Sequence, residues 1–386
     1  MDAPIGARAV PHGGALLLDW RRNLARVAPQ SGRKRKMKVS LFFLPTYLKE
    51  VHGPAANLYR DILEEVEFAE QAGFHAAWFA EHHFFPYGGA IPSAILLATA
   101  AAARTRRMRI ATGVVQLPIN NPLRVAEQVA MLDSISGGRA VFGIGRGFER
   151  AEYDAFNIPM EESRLRFNES HDLIIKAWSE ERFSFDGRFF KVRDLSVIPQ
   201  PLQKPHPPIY LAAIISEESF LWAGRMGYNL MYVPIVSTRE ETDERFSIYR
   251  QARAAAGHDP KSAEIMVELH FYMGESAREG RDFPRPFVER FHLAAADANR
   301  VEAEAGQYKG YGNMAAKFEE LATNYDHIYP ERAIFGDEEQ ILARFAELAE
   351  LGVTEVALKV NFGGMPQRDI MRSLERFAAR VLPKIS

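Results

Sequence analysis

Short apolar runs alternate with amphipathic stretches along the chain from Met37 onward. Most of these runs are apolar at consecutive positions, which is typical of strands that are covered on both faces in a parallel sheet. The pattern predicts eight such strands: Val39–Leu44, Ala76–Ala80, Ile110–Leu117, Ala140–Gly145, Ile209–Ala213, Leu230–Val236, Ile265–Met273 and Glu355–Val360.

The stretches between the strands carry apolar residues at helical spacing. One of them predicts a helix that ends at Gly73, with an apolar face of Leu58, Ile62, Val66 and Ala69. Asp337 can cap another, which ends near Gly352 and has an apolar face of Ile341, Leu342, Phe345, Leu348 and Ala349. Eight strands alternating with helices is the count of a (β/α)8 TIM barrel, and a doubly wound parallel sheet has the same local pattern.

Two stretches are longer than a β/α unit needs. Residues 181–208 are rich in phenylalanine and then in proline, which predicts a small hairpin and an extended connector before strand five. Residues 275–336 combine charges, aromatic residues and glycines after strand seven. Long insertions of this kind often form lids, and a dimer contact or a passive excursion fits equally well. We therefore expect a barrel with insertions after strands four and seven.

The amino-acid composition argues against several classes of protein. The chain has 386 residues with 48 Lys+Arg against 50 Asp+Glu, so the net charge of −2 predicts no general affinity for nucleic acid. Cysteine is absent, which excludes disulfides, thiolate metal sites and a cysteine nucleophile. No apolar run approaches the roughly 18 to 20 residues of a membrane helix. These features predict a cytoplasmic protein that does not bind membranes.

The first 36 residues differ from the rest of the chain. They hold eight Lys/Arg against Asp2 and Asp19, a local charge of +6. They show no lasting apolar period, and a transit peptide or a nucleic-acid arm is the less favoured interpretation. We expect residues 1–36 to be a basic flexible tail and residues 37–386 to be the barrel domain.

A cluster of titratable residues follows strand two. Glu81, His82 and His83 stand at the C-terminal end of an apolar strand, where the reacting groups of a barrel are found. One such histidine is often a hydrogen-bonded core residue, whereas three polar residues together favour a function. Adjacent histidines on a strand point to opposite faces, which disfavours a shared metal ion. We therefore expect no metal.

Glycines and an arginine follow strand four. Gly143, Gly145 and Gly147 allow a ligand to approach the backbone closely, and Arg146 adds a cation suited to a phosphate. The run partly matches a dinucleotide-binding turn but has Phe148 at the third glycine position. After strand five, a predicted helix begins at Ser216 and Ser219, and its N-terminus is suited to binding an anion. Together these features predict a mononucleotide phosphate pocket.

The motifs resemble one known family. WFAEHHF and ATGVVQLPINNPLRVAEQVAMLDSISGGRAVFGIGRGFE are similar to segments of the bacterial luciferase-like flavin monooxygenases, as are PPIYLAA, SEESF and GVTEVALKVNFGGMP. The resemblance is dense from Lys38 to Phe156 and covers most of the chain after residue 36. It implies a TIM barrel that binds reduced FMN and oxygenates an organic substrate through a flavin C4a-hydroperoxide.

The resemblance also implies roles for individual residues. His82 corresponds to the catalytic histidine, with Glu81 beside it. The implied cofactor contacts are a non-proline cis peptide at Gly113–Val114 against the flavin ring, the phosphate-binding Arg146, and Asn120, Gly145, Ser216 and Ser219. Two departures from luciferase, Gly145 in place of a cysteine and the apolar pair Ile214-Ile215, make light emission doubtful. Relatives that use F420 usually show an Asp-His pair, so FMN is favoured over F420.

We therefore expect a monooxygenase that acts on a small, hydrophobic organic substrate with O2. Reduced flavin would come from a separate NAD(P)H:flavin reductase, because no second nucleotide site is evident. The alternatives are an F420- or FMN-dependent dehydrogenase and a flavin-binding protein without turnover. The resemblance further implies a homodimer.

Overall fold

The computed structural model describes residues 36–234, 237–305 and 313–385. The predicted tail, residues 1–36, lies outside these ranges except for Lys36. The strands are β1 (Lys38–Phe43), β2 (Ala76–Phe79), β3 (Arg109–Thr112), β4 (Val115–Gln116), β5 (Ala140–Gly145), β6 (Phe183–Asp186), β7 (Lys191–Leu195), β8 (Ile209–Ala213), β9 (Asn229–Tyr232), β10 (Ile265–Met273), β11 (Ala333–Gly336) and β12 (Glu355–Lys359).

Helices follow the strands and cover the outside of the sheet. They are α1 (Lys49–His52), α2 (Ala55–Ala72), α3 (Ala94–Arg104), α4 (Pro122–Ser136), α5 (Arg150–Ala155), α6 (Ser163–Ser179), α7 (Glu217–Met226), α8 (Arg239–Ala255), α9 (Ala277–Asp282), α10 (Arg285–Ala305), α11 (Met314–Thr323), α12 (Tyr325–Glu331), α13 (Glu338–Glu350), α14 (Gln367–Arg380) and α15 (Leu382–Ile385). No helix among the described residues is long and apolar enough to cross a membrane.

Eight parallel strands close into a barrel. Their order is β12, β1, β2, β3, β5, β8, β9 and β10, and β10 pairs back to β12. The closure is visible in the register of β1, where Phe42 pairs with Trp78 on one side and with Lys359 on the other. The prediction of a (β/α)8 barrel is confirmed, and the doubly wound sheet is excluded because such a sheet stays open.

The eight predicted strands are the eight barrel strands. Three have the predicted bounds, the first, second and eighth differ by one residue at one or both ends, and the third and sixth differ more. The third prediction, Ile110–Leu117, divides into β3 and β4 at Gly113–Val114, where the peptide bond is cis. The sixth ends at Tyr232, and its last two residues, 235 and 236, lie outside the described ranges. A further parallel strand, β11, pairs with the end of β10 and was not predicted.

The core consists of the barrel strands and the inner faces of the helices. All residues of β5, β10 and β12 are buried, as expected for strands covered on both faces. The helix predicted to end at Gly73 is α2, whose C-cap glycine has a φ of 90°. Asp337 caps α13 in a capping box with Gln340, as the sequence predicts.

Both predicted insertions are present. The first contains the antiparallel hairpin β6–β7, which pairs Phe183 with Leu195. The second contains α9 to α12 and β11. Its rings reach the barrel mouth, because Tyr87 lies 5.2 Å from Phe291 of α10 and 6.2 Å from Phe318 of α11, measured between ring centroids. The second insertion therefore forms a wall of the region where the barrel strands end.

Candidate active site

The C-terminal ends of the barrel strands surround a cavity of about 880 Å³. Seven of the nine site residues predicted from the sequence line it, and they come from the ends of four different strands or the segments after them: Glu81, His82, Gly113, Val114, Gly145, Arg146 and Ser219. Residues far apart in the sequence thus meet at one place in the fold.

The other two predicted residues do not line the cavity. Asn120 lies behind it, where its Nδ2 donates to Glu81 Oε1 at 2.9 Å and to the Gln116 carbonyl at 2.9 Å. Ser216 is the N-cap residue of α7, and its carbonyl oxygen accepts a hydrogen bond from the Ser219 backbone at 2.9 Å. Asn120 therefore orients Glu81, and Ser216 shapes the start of the helix that carries Ser219.

One part of the cavity is apolar. Phe42, Leu211 and Met231 line it next to the Gly113–Val114 bond. A Cβ on Gly113 would lie 2.9 Å from atoms of both Phe42 and Met231, so no larger residue fits there without displacing them. This wall suits a flat, apolar ring system.

Another part of the cavity is cationic. Arg146 and Arg164 both line it, together with Gly147 and Ser219. Arg164 also forms an ion pair with Glu218 at 3.1 Å. The Arg146 carbonyl accepts a hydrogen bond from Tyr153, which fixes the loop after β5. Guanidinium and hydroxyl groups are the donors that bind phosphate in proteins, so this end of the cavity suits a phosphate group.

Two carboxylates stand beside His82. Its Nδ1 lies 3.1 Å from Glu152 Oε1 and 3.5 Å from Glu149 Oε1, and both carboxylates are fully buried. Glu152 also accepts hydrogen bonds from the His83 backbone at 2.8 Å and from Gln116 Nε2 at 2.6 Å. The cluster is thus held by groups from β4 and from the segments after β2 and β5.

The two carboxylates beside His82 determine its charge. Burial by itself would lower the pKa of the imidazole, but Glu149 and Glu152 outweigh burial and raise it well above its usual value. Burial would raise the pKa of Glu152, but His82 and the donors around it hold that pKa below its usual range. Burial raises the pKa of Glu149 to about 7. Near neutral pH, His82 is therefore an imidazolium paired with the Glu152 carboxylate.

Glu81 titrates close to neutral pH. Its burial raises the pKa to about 7, although hydrogen bonds from Asn120 and the Gln116 backbone act in the opposite direction. Glu81 lies 5% exposed at the wall of the cavity. It is therefore, like Glu149, a group whose protonation changes near neutral pH.

The histidine pair does not share a ligand. His82 lines the cavity, whereas the His83 ring packs against Phe84 and Phe156, at centroid distances of 5.5 and 4.9 Å. Instead, ligand atoms of His82, Glu149 and Glu152 lie within 4.8 Å of one another, a spacing compatible with a metal ion. Both oxygens of Glu152 already accept hydrogen bonds from N–H groups, so the geometry is that of a hydrogen-bonded ion pair.

Sequence reasoning missed three residues of the site. Glu149 and Glu152 are three positions apart at the start of α5, so both face the same side. Arg164 lies in the first turn of α6. Charges at such spacing are also typical of a solvated helix face, and only the packing of α5 and α6 on the barrel brings these three into the site.

Comparisons with known proteins agree with this fold. The family model described as "Luciferase-like monooxygenase" matches residues 37–355. The oxygenase component of the flavin-dependent trigonelline monooxygenase of Acinetobacter baylyi is 27% identical over 336 residues, which are 86% of this chain and 91% of that protein. The monooxygenase RslO1 from Streptomyces bottropensis has a TM-score of 0.80 and 32% identity, covering 91% of this chain and 100% of that chain.

Two further solved structures show the same fold at 19% identity. The oxygenating constituent of 3,6-diketocamphane monooxygenase from Pseudomonas putida, in complex with FMN, has a TM-score of 0.74 and covers 91% of this chain and 99% of that chain. An F420-dependent secondary alcohol dehydrogenase has a TM-score of 0.71 with the same coverage. Given the family match over residues 37–355 and the 32% identity to RslO1, the chain belongs to the luciferase-like monooxygenase family.

Proposed function

We propose that this protein is an FMN-dependent monooxygenase that transfers one oxygen atom of O2 to a small, hydrophobic organic substrate. A separate NAD(P)H:flavin reductase supplies the reduced flavin. The observation that carries the proposal is a single cavity with an apolar wall at Gly113–Val114, a cationic end at Arg146 and Arg164, and His82 on its lining.

The donor set of the cavity fits FMN. Arg146, Arg164 and Ser219 offer two cations and a hydroxyl, which match a phosphate monoester and have no partner of that kind in riboflavin. Phe42, Leu211 and Met231 offer the apolar contact that an isoalloxazine ring needs. When bound, reduced FMN supplies the electrons and the activation of O2.

The role of His82 is to hold a proton at the cavity wall. Its Nδ1 faces Glu152, which leaves Nε2 as the ring atom that can hold or release a proton toward the cavity. Glu149, 3.5 Å away with a pKa of about 7, can balance the charge when His82 changes its protonation state. Tyr87 and Phe148 pack on the imidazole at centroid distances of 5.1 and 6.3 Å and keep water from it.

A second candidate function is hydride transfer without oxygen, as an F420- or FMN-dependent dehydrogenase. Its support is the similarity of fold to an F420-dependent alcohol dehydrogenase. A flavin-binding protein without turnover is the least favoured candidate, because flavin binding alone does not require two buried carboxylates beside His82.

The proposal includes a homodimer. Leu96 of α3 and Met131 and Ile135 of α4 are large apolar side chains that are exposed on neighbouring helices. Exposed apolar side chains that lie together are typical of a surface that binds another protein chain.

The test compares His82→Ala with His83→Ala, its neighbour outside the cavity. Photoreduced FMN and O2 are mixed with each protein and a panel of substrates, and product and hydrogen peroxide are measured per flavin oxidised. Loss of a positioned proton donor should slow product formation roughly 10²- to 10⁴-fold in His82→Ala and release peroxide instead. His83→Ala should couple as the unmodified protein does. Equal coupling in all three proteins would overturn the role of His82.

A further inference from the structure

A second cavity of about 460 Å³ adjoins the candidate flavin cavity. The two share wall residues Leu44, Tyr87, Val233 and Glu268. The far wall of the second cavity comes from the helices of the second insertion, through Phe291, Phe318, Leu321 and Ile328. Because its walls are mostly rings and branched aliphatic side chains, this cavity suits an apolar group that carries an aromatic ring.

The second cavity also contains ionisable groups at its lining. They are Glu268, His270, His292, Arg332 and Lys359. Glu268 and Lys359 are an ion pair whose side chains are only 2% and 6% exposed, so their charges compensate each other. Lys359 also lies over the Phe291 ring, 4.4 Å from its centroid. The ion pair therefore adds no net charge to the cavity.

The two histidines are neutral. Burial, followed by the nearby Lys359 cation, lowers the pKa of His292 to about 3 and that of His270 well below its usual value. Arg332 is then the uncompensated charge of the lining, and it forms no ion pair with any carboxylate in the part of the chain that the structure describes. The second cavity thus carries one net positive charge near neutral pH.

Three buried nitrogens of this lining lack partners. Arg332 Nε, His270 Nε2 and His292 Nδ1 have no hydrogen-bond partner among residues 36–234, 237–305 and 313–385. Buried polar groups are nearly always hydrogen-bonded in folded proteins, since leaving one unpaired is unfavourable. A ligand with an anionic oxygen would accept hydrogen bonds from Arg332 Nε and from His270 Nε2 in the tautomer that is protonated there, and it would compensate the charge.

We propose that the second cavity, which we call the acid pocket, binds the substrate and selects an aromatic carboxylate. The carboxylate pairs with Arg332 and accepts a hydrogen bond from His270, while the ring packs against Phe291 and Phe318. Tyr87 belongs to both cavities and packs on His82 at 5.1 Å, so a molecule in the acid pocket lies next to the candidate flavin cavity. Calling this ligand the substrate rests on the proposed function.

The test is isothermal titration of the full chain with 2-naphthoate and 2-naphthamide, with and without saturating FMN. The two probes share a shape and differ in charge. We expect naphthoate to bind at least about ten-fold more tightly, and Arg332→Gln to weaken naphthoate roughly ten- to a hundred-fold while leaving the amide unchanged. Arg332→Lys, which keeps the charge, should retain the preference for the acid.

The matched control is Arg285→Gln on the same insertion. Arg285 is half-exposed, pairs with Glu289 at 2.9 Å and does not line the acid pocket, so its loss should leave naphthoate affinity unchanged. Equal affinity of the unmodified protein for acid and amide would overturn the proposal. Equal losses in Arg285→Gln and Arg332→Gln would overturn it as well.

FMN titration of the same proteins separates this proposal from the proposed function. Arg332→Gln should bind FMN as the unmodified protein does. If FMN fails to bind while the preference for naphthoate still depends on Arg332, the acid pocket stands and the flavin function is wrong. If FMN binds and neutral molecules are oxygenated without any preference for acids, the acid pocket alone is wrong.

Discussion

Replacing Gly147 with alanine tests how closely the site is packed. Gly147 has a φ of +71°, and a Cβ built on it would lie 1.9 Å from Gln116 Oε1. Gln116 must then move, although its Nε2 donates to Glu152 Oε2 at 2.6 Å and to the Glu81 carbonyl at 3.0 Å. The added methyl therefore acts on Glu152, the acceptor that faces His82.

The expected loss of stability follows from these contacts. A left-handed backbone costs an alanine about 1 to 2 kcal/mol. The hydrogen bond to the buried Glu152 carboxylate contributes roughly 1.5 to 3 kcal/mol, and the one to the Glu81 carbonyl about 1 kcal/mol. If Gln116 shifts only partly, it keeps some of the free energy of these hydrogen bonds. We therefore expect Gly147→Ala to lower the free energy of unfolding by about 3 to 5 kcal/mol.

Gly137→Ala is the matched control. Gly137 has a φ of +69°, and a Cβ there would meet no atom within 4 Å, so only the backbone contribution applies. Urea unfolding followed by circular dichroism gives both free energies of unfolding. Gly147→Ala should be less stable than Gly137→Ala by at least about 2 kcal/mol. Equal destabilisation of the two variants would refute the placement of Gln116 against Gly147 and Glu152.

Two further predictions address the cofactor and the response to pH. Arg146→Ala should weaken FMN roughly ten- to a hundred-fold and leave riboflavin almost unchanged, as measured by flavin fluorescence titration; equal losses for both would remove Arg146 from phosphate binding. Burial raises the pKa of Glu65 to about 8, although a hydrogen bond from Asn361 Nδ2 at 2.8 Å acts in the opposite direction. The folded state therefore binds a proton more tightly than the unfolded state does. The stability that this proton contributes is fully present below about pH 4.5 and is lost as the pH rises through 8. Glu65→Gln should therefore match the unmodified protein below pH 4.5 and exceed its unfolding free energy by about 3 to 5 kcal/mol above pH 8; an offset that does not change with pH would contradict this.

Strand prediction succeeded where burial is two-sided. Ala140–Gly145, Ile209–Ala213 and Ile265–Met273 have the predicted bounds, because continuous apolar runs of this length are what a covered parallel strand requires. β11 was missed because Ala333–Gly336 is four residues long and lies between two helical patterns. Its strand conformation depends on pairing with the end of β10, a contact between distant segments that no local pattern records.

The sequence places a residue at the cavity where its motif directly follows a barrel strand. Arg146 follows a strand directly, so its place at the barrel mouth follows from topology. Asn120 lies in the expected region but turns to Glu81 and away from the cavity, since side-chain direction depends on the 3₁₀ turn before it. Glu149 and Glu152 carry no sequence signal of burial, because their position against His82 depends on how α5 packs.

Isotope labelling of the product tests oxygen transfer by this protein directly. The protein is mixed with photoreduced FMN and ¹⁸O₂ in unlabelled water, with a panel of small aromatic acids and neutral analogues, and the products are analysed by mass spectrometry. We expect a product that contains one ¹⁸O atom, with the second atom of O2 released in water, and much less of that product from His82→Ala. A product that has lost two hydrogens and carries no label would contradict oxygen transfer and identify the protein as a dehydrogenase.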